Sequence, residues 1–194
     1  MPTRIAILAS GSGSNAEQLM RHFADSVVGE VAVVISDRKQ AGVHGRAQTA
    51  GIPSVFVGKA RRERPGGLLG VLREHDVDLV VLAGYLRLIP ADVLAGFPER
   101  VINIHPALLP NHGGPGMYGA HVHRAVKAAG DTVSGITIHL ANEVYDEGKV
   151  LFQASTPIQP EDSPEVIARR VLALEHRHYP LVVEAYIQDA LDAS

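Results

Sequence analysis

The chain contains no cysteine. That excludes disulfide staples, thiolate metal sites and a cysteine nucleophile, and it is compatible with a reducing compartment. Basic charge is not in excess either: 18 Lys and Arg stand against 21 Asp and Glu, for a formal net charge of −3. A nucleic-acid binder working through a broad basic surface is disfavoured, whereas a local site for a small anion is not. Long apolar runs are also missing. The opening MPTRIAILASG carries Arg4 and gives way to SGSGSN, which is too short for a signal-peptide core or a membrane span. There is no low-complexity tract, no internal repeat and no H-E-x-x-H string, so neither a membrane partner nor a metal is expected. What is present suits a packed globular core: 194 residues, 46% hydrophobic and 20% charged. No Pro/Gly/Ser linker divides the chain, so one domain over residues 1–194 is expected, in the cytoplasm.

Apolar runs of strand length recur at residues 4–10 (RIAILAS), 31–36 (VAVVIS), 54–57 (SVFV), 79–83 (LVVLA) and 101–104 (VINI). Such runs suit strands buried on both faces of a parallel sheet. Helical segments are expected between them at 16–23, 45–50, 68–75 and, after Pro90, at 91–95. The alternation predicts a doubly wound α/β sheet with helices on both faces. The pattern then changes. Residues 111–119 (NHGGPGMYG) form a glycine-rich loop and 121–129 a helix. Residues 134–141 (SGITIHLA) and 150–155 (VLFQAS) read as an antiparallel strand pair, because the connector between them is short. Ser163 and Pro164 open a long helix to about residue 190, which Pro180 is expected to kink or break.

The first strand runs into Gly11-Ser12-Gly13-Ser14-Asn15-Ala16 and then a helix. Glycines allow close backbone approach, and a helix start offers free N–H groups to an anion. The spacing fits a dinucleotide fingerprint, with Asp37 at the end of the second strand as its ribose-binding acid, so an NAD-dependent dehydrogenase is one reading. A site for a single phosphate is another, with Ser14 and Asn15 as donors, and a tight strand–helix turn is the third.

The stretch VINIHPALLP, residues 101–110, places Asn103 and His105 in a run that should be apolar. Residues two apart on a strand share a face, and Pro106 ends the strand at His105. Both polar side chains therefore stand at the carboxyl edge of the sheet, where open α/β folds bind ligands. Asparagine can donate to a developing oxyanion and histidine can move a proton near neutral pH. A nearby carboxylate would raise the imidazole pKa. The connector at 142–149 offers Glu143, Asp146 and Glu147, and spacing does not choose among them. The pairs His121/His123 and His176/His178 are two apart on helices, so each diverges rather than chelates.

Together, GSGSN, VVLAGYLRLIP, INIHPALLP, HVHRAV, SGITIHL and YDEGKVLFQ occur in an order that resembles the phosphoribosylglycinamide (GAR) formyltransferases, folate-dependent enzymes of purine biosynthesis, from about residue 4 to 186. The resemblance implies a Rossmann-like formyltransferase fold and formyl transfer from 10-formyltetrahydrofolate to the GAR amine; transfer to another amine is the neighbouring alternative. It implies that Asn103 and His105 polarise the formyl carbonyl and that Asp146 supports the histidine and orders a water. It gives Gly13, Ser14, Asn15 and Glu175 to GAR. It gives Arg62, Leu86, Arg87, Leu88, Ile89 and Asn103 to the folate, with Arg61 and Arg64 flanking the arginine match. Two small-molecule substrates, no nucleic acid and no metal follow, and a homodimer is compatible. Three features depart from the family pattern: the loop at 111–119 is longer and richer in glycine, the folate arginine lies among three, and Leu172 replaces a common basic residue.

Overall fold

The computed structural model describes residues 1–191; residues 192–194 of the expected domain lie outside the described residues. The apolar runs form one seven-stranded sheet. β1 (Thr3–Leu8), β2 (Gly29–Ser36), β3 (Ser54–Phe56), β4 (Leu79–Leu82) and β5 (Val101–His105) are parallel. β6 (Val133–Leu140) and β7 (Val150–Pro157) run antiparallel, and β6 pairs with β5 as well as with β7. The antiparallel part therefore includes one more ladder than the expected strand pair. The spatial order is β3-β2-β1-β4-β5-β6-β7. The chain winds outward from β1 to β3, then restarts at β4 on the other side of β1. That reversal opens a crevice beyond the carboxyl ends of β1 and β4, the usual ligand position in such sheets.

Side-chain alternation explains the two layers of core. Ile5 and Ile7 of β1 face one cluster, while Ala6 and Leu8 face the other, and all four are fully buried. The first cluster is closed by α1 (Ser14–His22), α2 (Gly42–Thr49), α6 (Ala120–Ala129) and α7 (Pro164–Tyr186). The second is closed by α4 (Gly67–Glu74) and α5 (Ala91–Gly96), with a short extra turn, α3 (Lys59–Arg62), preceding them. The sequence pattern did not foresee α3.

Two local features position the crevice. Gly13 caps α1 with φ 78°, and a Cβ there would lie 2.6 Å from Val43 Cβ on α2. This glycine lets one helix start approach another, so a side chain here would force α1 and α2 apart. The second feature is α7, which begins at the expected Ser163 cap and continues through Pro180, so that of the expected kink or break no break occurs. Pro180 is buried, and the adjacent Tyr179 is anchored. The Tyr179 hydroxyl lies 2.9 Å from the Leu82 carbonyl oxygen and 3.2 Å from that of Ile102. Leaving that buried hydroxyl unpaired would cost about 1–3 kcal/mol, comparable to what one proline costs a helix. Tertiary packing thus overrides the local signal. It also ties the carboxyl end of β4 and the start of β5 to α7 and presents Glu175, one turn before Tyr179, to the crevice.

Candidate active site

The crevice is a cavity of about 550 Å³, whose lining includes Asn15, Leu86, Asn103, His105, Asp146 and Glu175. Six residues given a role by sequence are thus brought together from five separate parts of the chain. Strand periodicity put Asn103 and His105 on one face, and the fold places both at its wall.

His105 is enclosed, with a side chain only 4% exposed. Its Nε2 lies 2.8 Å from the carbonyl oxygen of His112, which can only accept, so Nε2 carries a proton. Its Nδ1 faces Asp146 Oδ2 at 3.4 Å. Of the three acids of the connector, Asp146 alone turns inward; Glu143 and Glu147 are exposed. Asp146 adopts φ 60° and accepts the Gly114 N–H at 2.9 Å, so the connector and the glycine-rich loop are tied at the carboxylate.

The electrostatic outcome differs from the expectation that a carboxylate would leave the imidazole pKa raised. Burial pulls the His105 pKa down, and it wins over the opposing pull of Asp146 and the His112 carbonyl. Without ligand, His105 is the neutral Nε2–H tautomer at neutral pH, with an uncommitted Nδ1 beside a carboxylate. Asp146 shows the complementary balance. Burial pushes its carboxyl up, but contacts with His139, His105 and the Gly114 N–H together hold it below the ordinary carboxylate value.

His139 is the residue that sequence reasoning passed over, although it lay in the quoted SGITIHL. It stands opposite Asn103 in the β5–β6 ladder. Its Nδ1 donates to the Leu140 carbonyl oxygen at 2.9 Å, and Asn103 Nδ2 donates to its Nε2 at 3.1 Å. The same Nε2 lies 3.6 Å from Asp146 Oδ1. One amide hydrogen of Asn103 is thereby oriented, and the other remains for a ligand. Alternation along β6 puts His139 on a face with Gly135 and Thr137, but only the register with β5 shows which neighbour it meets.

On the opposite wall, Asn15 Nδ2 donates to Glu175 Oε2 at 2.7 Å, and burial pushes the Glu175 carboxyl up against that hydrogen bond. Asn15 Oδ1, the Tyr85 hydroxyl and His123 Nδ1 are buried without partners, and all three residues line the cavity. The orphaned atoms of Asn15 and His123 are what a polar ligand or bound water in the cavity would satisfy, whereas the Tyr85 hydroxyl lies on the side of Arg62. Burial pushes the Tyr85 phenol up to about 12 and pulls the His123 imidazole down. His123, set aside with His121 as half of a divergent pair, is thus buried at the wall while His121 is exposed.

The remaining predicted residues lie outside this cavity. Gly13 is buried against Val43, and Ser14 opens α1 just behind Asn15. Arg62, Arg87, Leu88 and Ile89 line an adjoining groove of about 540 Å³, together with Arg64. Of the three candidate arginines, Arg62 is the most enclosed, with an 11% exposed side chain, whereas Arg61 is directed toward Glu74 at 3.6 Å. Asp37, the acid a dinucleotide site would need, is covered by Arg87 and is not presented to a ribose. Among the described residues no three His, Asp or Glu side chains gather as a metal-binding set, and no helix is long and apolar enough to cross a membrane.

Comparison with known proteins gives this geometry its family. Residues 3–183 match the model of the formyl transferase family. A chloroplastic phosphoribosylglycinamide formyltransferase of Arabidopsis thaliana is 43% identical over 97% of this chain, which spans 66% of that protein's length. The phosphoribosylglycinamide formyltransferase of Haemophilus influenzae is 36% identical over 97% of this chain and 89% of its own length. The crystal structure of glycinamide ribonucleotide transformylase 1 from Symbiobacterium toebii superposes with a TM-score of 0.88 at 37% identity, covering 96% of this chain and 88% of that one. With the family match spanning nearly the whole sheet and the cavity at its edge, the chain belongs to the phosphoribosylglycinamide formyltransferases.

Proposed function

We propose that residues 1–194, acting as a single domain, transfer the formyl group of 10-formyltetrahydrofolate to the amine of GAR. The observation that carries this reading is the Asn103–His105–Asp146 constellation at the sheet's carboxyl edge, with His105 and Asp146 enclosed and Asn103 oriented by His139. The orphaned polar atoms of Asn15 and His123 support a polar ligand in the same space. Two small molecules are the partners, and neither nucleic acid nor a metal enters the chemistry.

The reaction exchanges one C–N bond for another. The acceptor amine forms a bond to the formyl carbon and loses one proton; the donor nitrogen leaves and gains one. Asn103 contributes its free amide hydrogen to the carbonyl oxygen as negative charge develops there. His105, held neutral by burial, is available to take the amine proton. Once charged, it is stabilised by Asp146, so the 3.4 Å contact becomes an ion pair when a proton arrives. His105 then returns the proton to the departing nitrogen, with Asp146 ordering a water for the transfer. Glu175 and Asn15 hold the glycinamide end, and the first turn of α1 at Gly13 and Ser14 offers N–H groups to the ribose phosphate. Arg62 and the 86–89 segment hold the folate, with Asn103 at the formyl end.

Purified protein incubated with 10-formyltetrahydrofolate and GAR is expected to release tetrahydrofolate and formylated product. Replacing GAR by other primary amines separates this reading from a formyltransferase of different acceptor choice. Absence of turnover with GAR would reject the substrate assignment.

A further inference from the structure

Asp37 has no part in the chemistry above, yet it is one of the least exposed carboxylates near the crevice. Its side chain is 1% exposed, and Arg87 Nε donates to its Oδ2 at 2.8 Å. Burial pushes the carboxyl up, but Ser10 and Arg87 hold it below the ordinary carboxylate value, so it is charged at neutral pH. Ser10 is itself tied to the same stretch as Arg87: its hydroxyl oxygen accepts the Leu86 N–H at 2.9 Å, and its own N–H donates to the Gly84 carbonyl oxygen at 3.0 Å. One buried carboxylate at the end of β2 therefore grips the segment after β4 through the Arg87 side chain, while Ser10, just past β1, holds the same segment at Gly84 and Leu86.

That segment is the partition between the two spaces. Tyr85 and Leu86 line the catalytic cavity, and Arg87, Leu88 and Ile89 line the adjoining groove; Asp37 lines neither. An exposed Arg–Asp pair would contribute little. Here the carboxylate is dry and the guanidinium half exposed, so the acid fixes where the cation points. We propose that Asp37 is a positioning residue for the formyl donor, holding the 85–89 partition and aiming Arg87 into the groove without touching either substrate. This rests on the formyl-transfer reading.

The test combines steady-state kinetics with calorimetric titration of tetrahydrofolate onto the whole chain. In Asp37→Ala, the donor KM and the tetrahydrofolate Kd are each expected to rise about tenfold, with kcat and the GAR KM within about twofold of wild type. Asp37→Asn keeps an acceptor for Arg87 Nε but not the charge, and is expected to restore most of the loss, leaving a rise of about threefold. An unchanged tetrahydrofolate Kd in folded Asp37→Ala would overturn the proposal. So would equal damage to both KM values and kcat, which marks a general structural role. If Asp37→Ala does not fold, Asp37→Asn decides alone, and an unchanged Kd there overturns the assignment. The titration does not depend on turnover, so wild-type protein that binds tetrahydrofolate but transfers no formyl group would reject the function and still leave Asp37 to be judged.

Discussion

The catalytic cavity and the arginine groove share one edge of one sheet and are separated only by residues 85–89, yet they are built differently. The cavity wall is dry: His105, His139 and Asp146 are each less than 10% exposed and interlocked with Asn103. The groove is wet, and its Arg87 side chain is 49% exposed. Desolvation is what moves pKa values and strengthens hydrogen bonds to a developing charge, so the dry wall suits bond making. A half-exposed guanidinium such as that of Arg87 is screened by solvent, so the groove suits recognition of a substrate's anionic end. The two should therefore fail differently when altered: the cavity in kcat, the groove in KM.

The largest expected effect is at His105. His105→Ala should lower kcat roughly 10²–10⁴-fold, with melting close to wild type, because it removes the proton carrier. Near-normal turnover in a stopped assay would end the mechanism. Asn103→Ala should lower kcat roughly 10²–10³-fold by removing the oxyanion donor, measured the same way. Asp146→Asn should reduce kcat about tenfold and move the acid limb of the pH–rate profile to lower pH, since the histidine loses the group that raises its pKa. A limb that does not move would separate Asp146 from His105. Arg62→Ala and Arg87→Ala should leave kcat within about twofold while raising the donor KM by about three- to tenfold, and added salt should shrink the difference. Equal falls in kcat would erase the proposed division of labour.

Acid should divide the same regions. Burial lowers the pKa of both His105 and His123 at the cavity. The unfolded chain takes up those protons first, at about pH 6.5, so stability is fully present above that value and lost progressively as pH falls toward the folded values. Melting temperature measured between about pH 8 and 5 should fall below about pH 6.5. Among the described residues, no histidine lines the groove. A flat profile would mean that the cavity histidines are not buried neutral.

Much of the frame was legible along the chain. Five apolar runs, a glycine turn, a capped final helix and a proline-stopped strand with two polar residues on one face all follow from periodicity and local backbone rules. Asp37 shows the limit of such rules. Its place at the end of β2 fits a ribose-binding acid, but only the order β2-β1-β4 brings Arg87 and Ser10 over it. Pro180 shows the same limit in a helix, since a local breaker was overruled by burial and by Tyr179 reaching two strands. His139 needed the β5–β6 register before it could be paired with Asn103.

The sequence by itself determined the sheet, the strand on which Asn103 and His105 stand, and, by family pattern, the acid expected to serve them. Those are consequences of side-chain alternation and of residue order. Tertiary structure decided that His105 is neutral, that Asp146 turns inward while its neighbours stay in water, and that Asp37 is committed to Arg87. Each depends on how far a charged group is removed from solvent and what faces it there. Such quantities are properties of three-dimensional enclosure, which no spacing along a chain contains.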